Sequence, residues 1–153
     1  MKSLLTLFSM CFIVMPLHAE VWASARAGVF ANSDHDLVSG VGVDVSGRTW
    51  SFSPAFEVVR GGHGVTAAHV NVRRLFRSDN RMFWVGAGPT FVHSDSSSDT
   101  TFNVDAGLEW RANSAWAPFV AARYYSYSMP VFRDVVENNG VVISVGISRR
   151  IRE

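Results

Sequence analysis

The stretch Thr100–Ser128 constrains this chain more than any other. In its first half Phe102, Val104, Ala106, Leu108 and Trp110 share one phase, and Asn103, Asp105, Gly107, Glu109 and Arg111 share the other. Strand side chains point to opposite faces with a period of two, so one face here is apolar and the other carries ionisable groups. After a polar break at Ala112–Ala115 the alternation resumes: Trp116, Pro118, Val120, Ala122 and Tyr124 against Ala117, Phe119, Ala121, Arg123 and Tyr125. The pair reads as an antiparallel hairpin with a greasy side and a side of charges and mostly small residues.

The same pattern recurs along the chain. Eight strands are expected, each bounded by turn residues: Val21–Ala31, Leu37–Val45, Thr49–Arg60, Val65–Phe76, Met82–His93, the two of the opening hairpin, and Gly140–Ile151. In the last, Val141, Ile143, Val145 and Ile147 oppose Ser144, Gly146, Ser148 and Arg150. No segment carries a convincing 3.6-residue period. The chain is therefore expected to repeat its hairpin into a closed barrel with the apolar phase outside.

The N-terminus is set apart from this pattern. Lys2, the apolar run Leu4–Met15 and Pro16-Leu17-His18-Ala19 have the layout of a secretory signal peptide, with cleavage expected after Ala19 and a second small-residue site at Val21-Trp22-Ala23. This divides the chain into residues 1–19, the signal, and 20–153, the barrel. Cys11 is the one cysteine and lies in the apolar run, which excludes disulfides, thiol catalysis and cysteine-based zinc sites from the remainder. A net charge of +1 gives no reason to expect nucleic acid as a partner. No apolar run after residue 19 reaches the length of a spanning helix, but spanning strands alternate and never show as one.

Two further features fix an orientation. Connections two, four and six are short, whereas the others include the longest break, Met129–Asn139, and glycine or serine tracts. Outer-membrane barrels pair short periplasmic turns with longer outside loops. Large aromatics of the apolar phase fall in two rows: Trp50, Phe83, Trp110 and Trp116 beside the short turns, and Phe91, Phe102 and Tyr124 near the other rim. Eight residues of tilted strand climb roughly 20 Å, close to the ~25 Å apolar band between aromatic girdles. On this reading Val104→Arg costs about 2–4 kcal/mol near the midplane, and Asn103→Arg less. Pro54, Pro89 and Pro118 interrupt the pattern; Pro54 and Pro118 are expected to mark strand starts, and Pro89 a bulge.

The signal-like segment, the runs TWSFSPAFEVVRGG and RMFWVGAGPTFV, the pair FNVDAGLEW and APFVAARYY, and the glycine-spaced VVISVGISRRI together resemble a small outer-membrane β-barrel protein of the OmpA/OmpX type. The resemblance implies an all-β, eight-stranded, antiparallel, up-and-down transmembrane barrel in the bacterial outer membrane. It implies lipid and the assembly machinery as partners, and a monomer with a structural, envelope-integrity or surface-contact role. Such barrels usually end in an aromatic residue, whereas this sequence ends Ile151-Arg152-Glu153.

The inward phase collects Arg26, Asp44, Glu57, His69, Arg73, Asp105, Glu109, Arg111, Arg123 and Arg150. Buried charges must pair, so these are expected to form a structural salt-bridge lattice filling the interior, with a narrow pore as the alternative. His93 to Asp99 contains a histidine, serines and acids, the ingredients of nucleophilic catalysis, but in a serine-rich loop without rigid support. Lipid A deacylases of the PagL type place a His-x-Ser pair late in the barrel and a glutamate in the last loop. Here Tyr124-Tyr125-Ser126 and Glu137 occupy similar places, with tyrosine where the histidine would stand. A soluble lipocalin-like barrel would need the opposite polarity, apolar inside and polar outside. The expectation is a non-enzymatic barrel with no catalytic residue, no metal and no cofactor. Residues 129–139 are the one segment expected to touch a surface partner.

Overall fold

A computed structural model describes residues 19–31, 36–60, 65–94, 98–111, 115–125 and 140–152. These form eight strands: β1 (Glu20–Phe30), β2 (Leu37–Ser46), β3 (Trp50–Arg60), β4 (Val65–Ser78), β5 (Arg81–His93), β6 (Ser98–Trp110), β7 (Trp116–Tyr125) and β8 (Val141–Arg152). Each strand pairs antiparallel with its sequence neighbours, and β1 pairs with β8, which closes the barrel. The signal-like segment and residues 129–139 lie outside the described residues. Closure satisfies every strand edge in the ladder, the condition for crossing a hydrocarbon layer.

The alternation sets the two surfaces. Along β7 the odd positions Ala117, Phe119, Ala121, Arg123 and Tyr125 are buried, while Trp116, Pro118, Val120, Ala122 and Tyr124 are exposed. Around the rest of the wall Leu37, Val41, Phe56, Val72, Phe76, Ile143 and Val145 also stand exposed. A water-soluble monomer rarely exposes an apolar patch beyond a few hundred Å², and here the apolar surface encircles the molecule. Its solvent is lipid, so the barrel is a transmembrane one. A lipocalin-like calyx has the reverse polarity and is excluded by these faces.

Pro54, Pro89 and Pro118 all sit inside strands, facing outward. Pro54 is the fifth residue of β3 and Pro118 the third of β7, so neither marks a strand start. Pro89 requires no bulge: the β4·β5 register passes from His69↔Thr90 to Val72↔Ala87 without a shift, omitting two pairs around the ring. In an antiparallel ladder a residue's N–H serves one neighbour only. Pro89 thus withdraws from β4 while still pairing with Phe102 of β6. A register shift does occur, at Val21/Trp22 where β1 meets β8.

Inside, the fill is layered. Phe30, Val38, Val59, Val65, Val92, Tyr125 and Val142 close the end that carries the longer connections. Leu75, Met82, Trp84, Phe119 and Ala121 form a second apolar layer toward the short turns. Large inward rings need small neighbours: Trp84 faces Gly107 across the β5·β6 ladder, and Phe119 faces Gly146 across β7·β8. A Cβ at either glycine would run into the ring opposite.

Candidate functional site

The polar layer lies between the two apolar ones and draws on most of the strands. Glu57 of β3 is its hub. Its Oε1 accepts from Arg123 Nη1 at 2.6 Å and lies 3.4 Å from Arg26 Nη1. Its Oε2 accepts from the Tyr125 hydroxyl at 3.0 Å and sits 3.0 Å from His69 Nε2. The other imidazole nitrogen, Nδ1, is 2.9 Å from Thr90 Oγ1. Two arginines and one hydroxyl converging on a single carboxylate leave its lone pairs satisfied without water, the arrangement a buried charge requires.

One turn of the wall lower, Asn71 and Asn103 exchange amide hydrogen bonds at 2.8 and 2.9 Å. Asn103 also donates to the Gly88 carbonyl and to Thr90 Oγ1. Both asparagines are fully buried. An arginine at 103 would therefore have no room and would orphan three partners, which reverses the ordering expected from sequence for Val104→Arg and Asn103→Arg. Below them Arg73 bridges two acids, donating to Asp105 Oδ2 from Nε at 2.9 Å and to Asp44 Oδ1 from Nη1 at 2.6 Å. Arg123 Nη2 approaches the same Asp105 oxygen at 3.8 Å, joining the two clusters.

A third cluster closes the short-turn end. Arg111 donates to Glu109 and to Glu20, both at 3.0 Å, and Arg77 donates to Glu20 at 3.1 Å. The Arg111 guanidinium lies 4.2 Å from the centroid of the buried Trp22 ring, with Arg150 at 5.7 Å from the same ring. The inward charges singled out in the sequence thus fall into two groups. Arg26, Asp44, Glu57, His69, Arg73, Asp105 and Arg123 are in the middle layer, whereas Glu109, Arg111 and Arg150 are at the rim. Sequence reasoning left out Glu20, Arg77, Thr90, Tyr125 and the asparagine pair. Parity places Tyr125 and Asn103 on the inward phase beside Arg123 and Asp105, but as uncharged groups they are not counted into the lattice.

Among the described residues the interior is closely filled. A cavity of ≈ 20 Å³ is lined by Ser24, Arg26, Ser51, Trp84 and Glu109 among others, room for about one water centre. Each of those five has a buried polar atom without a protein partner, which suits an ordered water rather than a pathway. The described residues contain no group of three or more metal-ligating side chains.

On the outside, Trp50, Phe83, Trp110 and Trp116 are exposed near the short turns, and Phe91, Phe102 and Tyr124 are exposed toward the other rim. Near that second rim an external groove is lined by Phe56, Phe91, His93, Ser98 and Asp99. His93 Nδ1 and Ser98 Oγ are 2.6 Å apart there. Oδ1 of the neighbouring Asp99 accepts from the Thr100 N–H at 2.7 Å, and no hydrogen bond joins Asp99 to His93 among the described residues. The dyad therefore lacks an orienting acid among the described residues. Ser126 and Glu137 of the deacylase comparison, and Asp95 to Ser97, lie outside the described residues.

No protein-family model and no curated protein sequence matches this chain. Solved structures do match its fold. The N-terminal β-barrel domain of Pseudomonas aeruginosa OprF superposes with a TM-score of 0.70 at 12% identity, covering 88% of this chain and 100% of that one. Neisserial surface protein A gives 0.59 at 10% identity, over 87% of this chain and 97% of that one. The outer-membrane enzyme PagL gives 0.52 at 14% identity, over 86% of this chain and 99% of that one. Catalysts and other proteins alike are thus built on this scaffold. By strand number, topology, closure and polarity, the chain has the fold of the small outer-membrane β-barrels of the OmpA/OmpX type.

Proposed function

We propose that this protein is a non-conducting, non-catalytic barrel of the bacterial outer membrane, serving envelope structure or surface contact. The supporting observation is the interior: a hydrogen-bonded charge layer held between two apolar layers inside an apolar wall. Charges so arranged cost desolvation and are retained where they specify one packing, here the barrel register. With its sheet closed, the barrel has no free strand edge through which to pair with a second copy, which supports a monomer. Residues 129–139 are the segment through which a surface partner would bind.

The test begins with fractionation and an unboiled gel. The folded protein is expected in the outer-membrane pellet with a heat-dependent mobility shift. Purified protein in a planar bilayer is then expected to give no discrete conductance steps. Recovery in the soluble periplasmic fraction, or stable unitary conductance, would overturn the reading.

A further inference from the structure

At the short-turn end three arginines on the outward phase break the apolar exterior, and each stands opposite a tryptophan. Arg74 pairs with Trp50 across β3·β4, Arg81 with Trp110 across β5·β6, and Arg149 with Trp116 across β7·β8. Each is the last pair of its ladder at the short-turn end, on the outward face. The Arg74 guanidinium lies 5.1 Å from the Trp50 ring centroid, and Arg149 lies 5.2 Å from that of Trp116. The fourth such ladder, β1·β2, ends differently, on Glu20↔Ser46.

This repetition has an energetic meaning. A lipid-facing arginine costs about 2–4 kcal/mol at the midplane and roughly nothing to 1 kcal/mol at the interface. Three of them level with a tryptophan row therefore sit at headgroup depth, where tryptophan itself partitions. In Arg74 and Arg149, stacking on the indole occupies one face of the guanidinium and leaves its N–H donors unspent. Among the described residues none of the three forms an ion pair with a carboxylate. The acceptors within reach of an outward guanidinium at that depth are lipid phosphates, whose geometry matches its fork. At the other rim Arg60 is exposed with no ring stacked on it by register, and Asp36 and Asp99 lie at the same end.

We propose that the pairs Trp50–Arg74, Arg81–Trp110 and Trp116–Arg149 form a collar that binds the phosphates of glycerophospholipids in the leaflet facing the short turns. The collar fixes the depth and orientation of the barrel. It rests on the reading of the exterior as lipid-facing.

The test uses the full chain, folded in detergent, titrated with phosphatidylglycerol and with a phosphate-free glycolipid of the same acyl chains, and read by native mass spectrometry. Wild type is expected to bind phosphatidylglycerol more tightly than the glycolipid. Each of Arg74→Gln, Arg81→Gln and Arg149→Gln should weaken that binding about fivefold, in line with ~1 kcal/mol per basic residue at a lipid surface. Arg60→Gln should leave it unchanged, and retained heat-dependent mobility verifies that each variant is folded. Equal binding of both lipids, or a folded triple variant that binds like wild type, overturns the collar and leaves the membrane reading standing. Displacement of the lipid by inorganic phosphate also overturns it, since a free-ion site would then be at work. Failure of wild type to enter vesicles at all overturns both.

Discussion

Glu57 and Arg123 meet across the lumen, 2.6 Å between Oε1 and Nη1, although 66 residues separate them in sequence. The contact joins β3 to β7, strands that share no ladder. It therefore reports on the closed barrel as a whole rather than on any hairpin. Removing one partner of a buried pair strands the other charge, at about 3–5 kcal/mol. Glu57→Ala is expected to lose that much in urea unfolding from vesicles, since Arg123, Arg26 and Tyr125 all lose an acceptor. Glu57→Ala with Arg123→Ala should cost less than the two singles together. Strict additivity would show that the pair is not coupled in the folded protein.

The membrane reading makes a depth-dependent prediction. Val120 lies four residues from both Trp116 and Tyr124 on the outward face of β7, midway between the aromatic rows. Val120→Arg should cost about 2–4 kcal/mol, whereas Ile151→Arg at the rim should cost no more than about 1 kcal/mol. Both sites are exposed, so an aqueous surface would tolerate arginine equally at the two. Equal and small costs would exclude lipid as the solvent of this wall.

Much of this was legible from parity. The eight strands and their two faces follow from alternation, because a period-two pattern with one charged phase has few other solutions. Strand ends agree to within about two residues, and the rows of Trp50, Trp110, Trp116 and Tyr124 mark the outward face. Contacts across the lumen were not legible. They join strands that are not neighbours, so that Glu57 finds Arg123 and Tyr125 only once shear and closure set the heights. The prolines misled for a local reason: a missing N–H weakens one ladder and leaves the other intact. Parity also put the rings of Phe119 and Trp84 on the inward phase, but not the room for them, which Gly107 and Gly146 supply from adjacent strands. Arg74, Arg81 and Arg149 went unremarked since charges on the apolar phase carry no meaning until their register opposite tryptophan is known.

That ring-and-glycine fit is testable by a reciprocal pair. A side chain at 107 meets the Trp84 indole, so Gly107→Val forces the ring to move, and overpacking of this kind costs typically 1–3 kcal/mol. Trp84→Leu makes room for it. The double variant is expected to lose less stability than the sum of the singles, measured by the same urea unfolding. A sum that is additive or worse would mean the indole does not rest against residue 107.

The exterior dyad provides the sharpest test of the non-catalytic assignment. His93 Nδ1 and Ser98 Oγ approach to 2.6 Å beside an apolar groove, which by distance alone satisfies the nucleophile–base criterion. Two further requirements fail. The base needs an orienting partner, and no carboxylate among the described residues hydrogen-bonds His93, Asp99 Oδ1 accepting instead from the Thr100 N–H. Rate enhancement also needs donors aimed at a developing oxyanion from a rigid support, whereas Ser98 opens β6 at the edge of a serine-rich connection. A hydrogen-bonded serine without these stays a weak nucleophile. The folded protein is therefore expected to form no adduct with a fluorophosphonate probe, and wild type, Ser98→Ala and His93→Ala should release no fatty acid from lipid esters above background. A stoichiometric adduct at Ser98 that disappears with His93→Ala would instead make this rim an active site and the filled interior merely its scaffold.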